Sequence, residues 1–67
     1  MDQQEIHDRI DRIRVHATTG DYEAAHGEED QLHQDVLRAI ADGARFPAGL
    51  ASEALATTRI KFERYTA

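Results

Sequence analysis

Cysteine is absent from the 67 residues, which excludes disulfide staples, thiolate metal sites and a cysteine nucleophile. No apolar run approaches the roughly 18 residues that a membrane span requires. The opening stretch, Met1 to Asp8, is acidic and polar, where a secretory signal is basic and then apolar. The expectation is a cytoplasmic protein with no membrane partner. Lysine and arginine are missing between Val15 and Leu37, where six acids fall. Residues 1–43 carry eleven acids and four arginines, a balance of −7, and residues 44–67 carry +2, leaving −5 overall. Such a surface repels phosphate backbones and disfavours nucleic-acid binding. The basic cluster Arg59, Lys61 and Arg64 is too small to reverse this. It also argues against an acidic mimic of DNA, for which −5 is modest.

Catalytic signatures are missing as well. There is no glycine-rich phosphate loop, no H-E-x-x-H and no nucleophile elbow. Ser52 has no histidine near it in sequence, and the pairs Thr18-Thr19 and Thr57-Thr58 suit helix ends and packing. A bundle this small offers little space for a pocket of about 300–1,000 Å³. The sequence therefore predicts neither an enzyme nor a cofactor.

What is present is one domain, residues 1–67, with a thin core; the larger apolar residues available are Ile6, Ile10, Ile13, Val15, Tyr22, Leu32, Val36, Leu37, Ile40, Phe46, Leu50, Leu55, Ile60, Phe62 and Tyr65. A core of this size leaves about 3–5 kcal/mol of net stability, and small domains without staples often gain burial by self-association.

The periodicity predicts an all-α fold, a three-helix bundle built on an N-terminal αα-hairpin, with helices at about 3–18, 22–41 and 48–65. In the first, Asp2 caps with Glu5 three residues on. Ile6, Ile10, Ile13 and Ala17 then fall on one face. Glu5–Arg9 and Asp8–Arg12 are spaced for ion pairs worth about 0.2–0.5 kcal/mol each. Gly20 ends the helix, and Thr19-Gly20-Asp21-Tyr22-Glu23-Ala24-Ala25 reads as a tight turn resembling the hairpin turn of tetratricopeptide repeats. No second copy follows at that repeat's period, so the implication is a hairpin and not a repeat array. The second helix sets Tyr22, Ala25, Leu32, Val36 and Ile40 on one face, with Leu37 beside it. Asp42-Gly43 ends it, and Phe46 is expected to plug the bundle end. Pro47 suits the start of the third helix, whose inward face reads Leu50, Ala51, Ala54, Leu55, Thr58, Phe62 and Tyr65. Val15 and Ile60 point away from these faces, hinting at a partner surface.

Asp21-Tyr22-Glu23-Ala24-Ala25-His26, Glu29-Asp30-Gln31-Leu32 and Asp35-Val36-Leu37-Arg38-Ala39-Ile40-Ala41 form one pattern, resumed by Glu53-Ala54-Leu55, Thr57, Ile60, Phe62, Arg64 and Ala67. In this, about two-thirds of the chain resembles a group of short, uncharacterised helical proteins of actinobacteria and their bacteriophages. Tyr65 stands where that group usually has tryptophan. The resemblance implies a phage or prophage setting and assigns no activity.

The constellation most able to carry chemistry is His26-x-x-Glu29-Asp30-x-x-His33. On a helical wheel Glu29 lands within about 20° of Tyr22, inside the apolar stripe, with both histidines along its edge. A carboxylate there is unfavourable unless paired or neutralised. The partners on offer are the two histidines, Arg9 or Arg12 across the hairpin, and Arg59 or Arg64. Three readings follow: a polar anchor fixing helix register, a solvated side chain, or a metal site using His26, Glu29, Asp30 and His33. The last echoes the carboxylate-x-x-histidine element of di-iron bundles, yet the other helices add no clear inward carboxylate. His7 reads as a surface histidine, and His16 as a cation near the negative end of its helix dipole. The function expected from all this is a small helical interaction module that binds itself or another protein, with metal binding as the alternative.

Overall fold

The computed structural model describes residues 1–64. Three helices pack against one another: α1 (Gln3–Thr18), α2 (Tyr22–Ala41) and α3 (Pro47–Ala54), followed by a 3₁₀ helix, Leu55–Arg59. No strand occurs among the described residues. The Asp2 carboxylate accepts the Glu5 N–H at 2.9 Å, and Asp21 does the same for Ala24 at 3.3 Å, so each hairpin helix starts on an aspartate satisfying a free backbone donor. Between them Gly20 takes φ +83°, a conformation open to glycine at little steric cost. It lets the Asp21 N–H reach back to the His16 carbonyl at 2.8 Å.

α1 packs chiefly on α2, and α3 closes over both. Ile6, Ile10, Ile13 and Ala17 from α1 meet Ala25, Leu32 and Val36 from α2 and Leu50 and Ala54 from α3. The molecule spans 35 × 24 × 15 Å, and its short dimension is little more than one helix diameter of about 10–12 Å. Few side chains can be wholly enclosed in so thin a layer.

The third helix is shorter than the periodicity predicts. It ends at Ala54, tightens to 3₁₀ geometry, and turns extended at Ile60 (φ −77°, ψ 122°). Two threonines explain the change. The Thr57 hydroxyl donates to the Ala54 carbonyl at 3.2 Å and that of Thr58 to Leu55 at 2.7 Å, competing for the carbonyls a continuing α-helix would use. Moving from 3.6 to 3.0 residues per turn rotates the expected inward face away. Leu55 is exposed, Thr57 is buried instead of Thr58, and Ile60 packs against the core instead of pointing out. Phe62 still reaches the core, from the strap 60–64 and not from a helix. Tyr65, expected on the inward face, lies outside the described residues.

Two other side chains depart from expectation. Leu37 is exposed, and Phe46 does not plug the bundle end but stands 79% exposed. Phe46 adopts a left-handed backbone (φ 55°, ψ 52°) that aims its carbonyl at the Leu50 N–H, 3.0 Å away. The same turn swings the ring outward. Val15 is exposed, as its place on the wheel predicts.

Candidate functional site

Position 29 follows Ala25 and precedes Leu32 on the buried stripe of α2, so the helix delivers a carboxylate into the interior. Glu29 is only 4% exposed. The strap brings Arg64 to it side-on, with Nε to Oε1 at 2.7 Å and Nη2 to Oε2 at 2.9 Å. This two-point geometry is the strongest pairing open to a carboxylate. The guanidinium also donates to the carbonyls of Thr57 (2.9 Å), Ile60 (3.1 Å) and Phe62 (3.4 Å). Its Cζ lies 3.9 Å from the centre of the Phe62 ring, a cation–π contact. The Phe62 ring in turn packs 6.2 Å from that of Tyr22.

His33, one turn along α2, completes the recess. Its Nε2 lies 2.9 Å from Thr57 Oγ1 and 3.2 Å from the Ala54 carbonyl. A carbonyl can only accept, so this network assigns the hydrogen to Nε2, which donates. Burial pushes the Glu29 pKa up. Hydrogen bonds from Arg64 and Thr57, with the coulombic pull of Arg64 and His33, outweigh that and hold the carboxyl below its ordinary value. Hydrogen bonding to Glu29 pushes Arg64 the other way, to a raised pKa, against a smaller opposing effect of burial. Among the described residues no buried side-chain polar atom lacks a partner. The recess therefore holds a fixed ion pair.

The four candidate ligands are engaged separately. Both Glu29 oxygens face Arg64, His33 turns to Thr57, and His26 lies 3.4 Å from Asp30 on the outer side of α2. Among the described residues, no three His, Asp or Glu side chains are grouped so as to hold a metal ion. Of the six partners offered to Glu29 by the sequence, Arg64 makes the direct pair.

The remaining histidines do more than expected. His7 pairs with Glu53 at 2.7 Å, tying α1 to α3, and His16 lies 3.4 Å from Glu28 across the hairpin. The bridge from Arg9 to Asp35 at 2.9 Å was not anticipated. The i,i+4 spacing assigned Arg9 to Glu5, which it meets only at 3.7 Å. Hydrogen bonds from Gln31 and then Arg9 hold the Asp35 carboxyl below its usual range. Asp8 accepts from Gln4 at 2.9 Å instead of pairing with Arg12.

A second feature lies at the other end of the bundle. Met1, Phe46 and Leu50 border an open groove of about 970 Å³, with Asp2, His7 and Arg45 at its polar edge. It is a surface groove and not the enclosed kind of pocket for which the chain length leaves little space. The partial signal for it was Phe46 directly before Pro47, since proline disfavours right-handed helical geometry in the residue before it. No helix among the described residues is long and apolar enough to cross a membrane. Comparison with known protein families, curated proteins and solved structures returns no match.

Proposed function

We propose that this chain is a small helical protein-interaction module, without catalytic activity, that docks through the apolar end formed by Phe46, Met1 and the adjoining groove. The observation that carries this reading is Phe46 itself. A left-handed backbone disfavours a bulky residue by about 1–2 kcal/mol, and burying a phenylalanine ring is worth about 1.5–3 kcal/mol. Phe46 bears the strain and forgoes the burial. Gly20 and Gly43 occupy comparable backbone at the other two turns. Folding alone favours glycine at position 46, and an exposed aromatic beside a groove suits recognition of another protein. The resemblance to short actinobacterial and phage proteins supports a phage or prophage setting, and the acidic surface of α2 supports a protein partner over nucleic acid.

The test is Phe46→Gly. The variant should unfold within about 1 kcal/mol of the parent, or above it, since strain is relieved. The parent should self-associate in sedimentation equilibrium at high micromolar concentration, or capture a protein from a host lysate, and the variant should do neither. Parent and variant both strictly monomeric, with identical capture, would sink the proposal.

A further inference from the structure

The strap 60–64 is attached to the bundle in an unusual way. Among the described residues, 61–64 make no backbone–backbone hydrogen bond; Ile60 makes one, from its N–H to the Thr57 carbonyl. Its hold comes from three side chains: Ile60 and Phe62 against the core, and Arg64 on Glu29. Glu29 is fixed in α2 whether or not the strap is seated, so an open strap leaves the carboxylate without its counter-ion. Any segment replacing the strap must therefore supply a cation.

The geometry selects which cation. Two carboxylate oxygens meet Nε and Nη2 side-on, the Thr57 carbonyl takes a further N–H, and the flat face lies on an aromatic ring. A planar five-donor guanidinium meets all of these demands, whereas a tetrahedral ammonium has three donors and no face to stack. We propose that the Glu29 recess is a guanidinium-binding site with Arg64 as its intramolecular ligand. Its competing occupant is an extended, arginine-bearing segment of a partner protein. That segment repeats the aromatic-x-Arg spacing of Phe62-Glu63-Arg64, because the strap supplies its own ring and two of the three carbonyls. The site shares no residue with the Phe46 groove, and neither proposal depends on the other.

Two experiments test it on the full chain. In the first, Arg64→Ala empties the recess, and methylguanidinium is titrated against methylammonium at equal ionic strength. Methylguanidinium should restore melting temperature with a saturable dependence at concentrations where methylammonium has no effect. Glu29→Gln combined with Arg64→Ala should abolish the rescue. Equal action of the two cations, or none, overturns the site. In the second, which covers an Arg64→Ala chain that does not fold, the parent is exposed to the capped peptide Phe-Glu-Arg. Exchange of the hydrogen-bonded Arg64 Nε–H and Ile60 N–H should accelerate, and the same peptide ending in lysine should leave it unchanged. No acceleration by the arginine peptide, or equal acceleration by both, overturns the partner-segment proposal even where methylguanidinium rescue succeeds.

Discussion

Removing Arg64 and removing Glu29 leave the molecule with different problems. Without Glu29, the guanidinium side chain, already about a third exposed, can turn to water. Glu29→Ala should cost about 1–3 kcal/mol, from partners left imperfectly satisfied. Without Arg64, the carboxylate loses its counter-ion and both side-on hydrogen bonds, and Arg64→Ala should cost about 1.5–3 kcal/mol. The double variant should be more stable than Arg64→Ala alone, a non-additivity that urea unfolding of all four proteins would measure. Equal costs that simply add would mean that the pair carries no coupling. Acid gives a second handle. The Glu29 pKa is lowered by folding, so in the acid range the unfolded chain binds more protons and stability rises with pH. This contribution is complete above about pH 4.3, the unfolded value, and is lost as pH falls through the lower folded one. Glu29→Gln should remove this part of the acid sensitivity, seen as a flatter dependence of the urea midpoint on pH below that value. An unchanged slope would assign the sensitivity to Asp35, whose carboxyl is also held below its usual range. At this scale the sequence was informative about Glu29, because the wheel set a carboxylate among apolar neighbours. It could only name Arg64 among six partners, since that choice depends on the chain leaving helical geometry after Arg59.

At the scale of elements, legibility follows how local the deciding interactions are. The starts of α1 and α2 rest on aspartates three residues from the N–H groups they accept, and both were readable. The end of α3 rests on a contest between Thr57 and Thr58 hydroxyls and the helix ladder, settled by contacts from other elements. His33 of α2 shares the Ala54 carbonyl, and Arg64 takes those of Thr57 and Ile60. A 3.6-residue period extended through this stretch therefore predicted Leu55 and Thr58 inside. Thr57→Val tests the assignment, since it keeps the shape of a fully buried side chain and deletes only the hydroxyl. It should cost about 1–3 kcal/mol, because His33 loses its nearest acceptor and the Ala54 carbonyl one donor. Protection of the Arg64 side-chain hydrogens in exchange experiments should fall with it. A variant as stable as the parent would show that the hydroxyl adds nothing to the turn.

For the molecule as a whole, polar bridges join elements that the thin core alone covers sparsely. Arg9–Asp35 links α1 to α2, His7–Glu53 links α1 to α3, and His33–Thr57 and Arg64–Glu29 fasten the last turn and strap to α2. This bears directly on metal binding. For His26, Glu29, Asp30 and His33 to converge on an ion, Arg64 must leave Glu29, His33 must release Thr57, and the strap must lift from α2. A metal would have to offset that loss before stabilising anything. A ligand bound at 100 times its dissociation constant adds only about 2.7 kcal/mol, which the about 1.5–3 kcal/mol expected for breaking the pair offsets. Titration with Zn²⁺, Mn²⁺ or Fe²⁺ should therefore leave the melting temperature of the parent unchanged. Arg64→Ala, with its carboxylate already free, should respond more strongly than the parent. A rise in the parent itself, abolished by His33→Ala, would mean that the recess opens at small energetic cost and that the strap is not what holds Glu29.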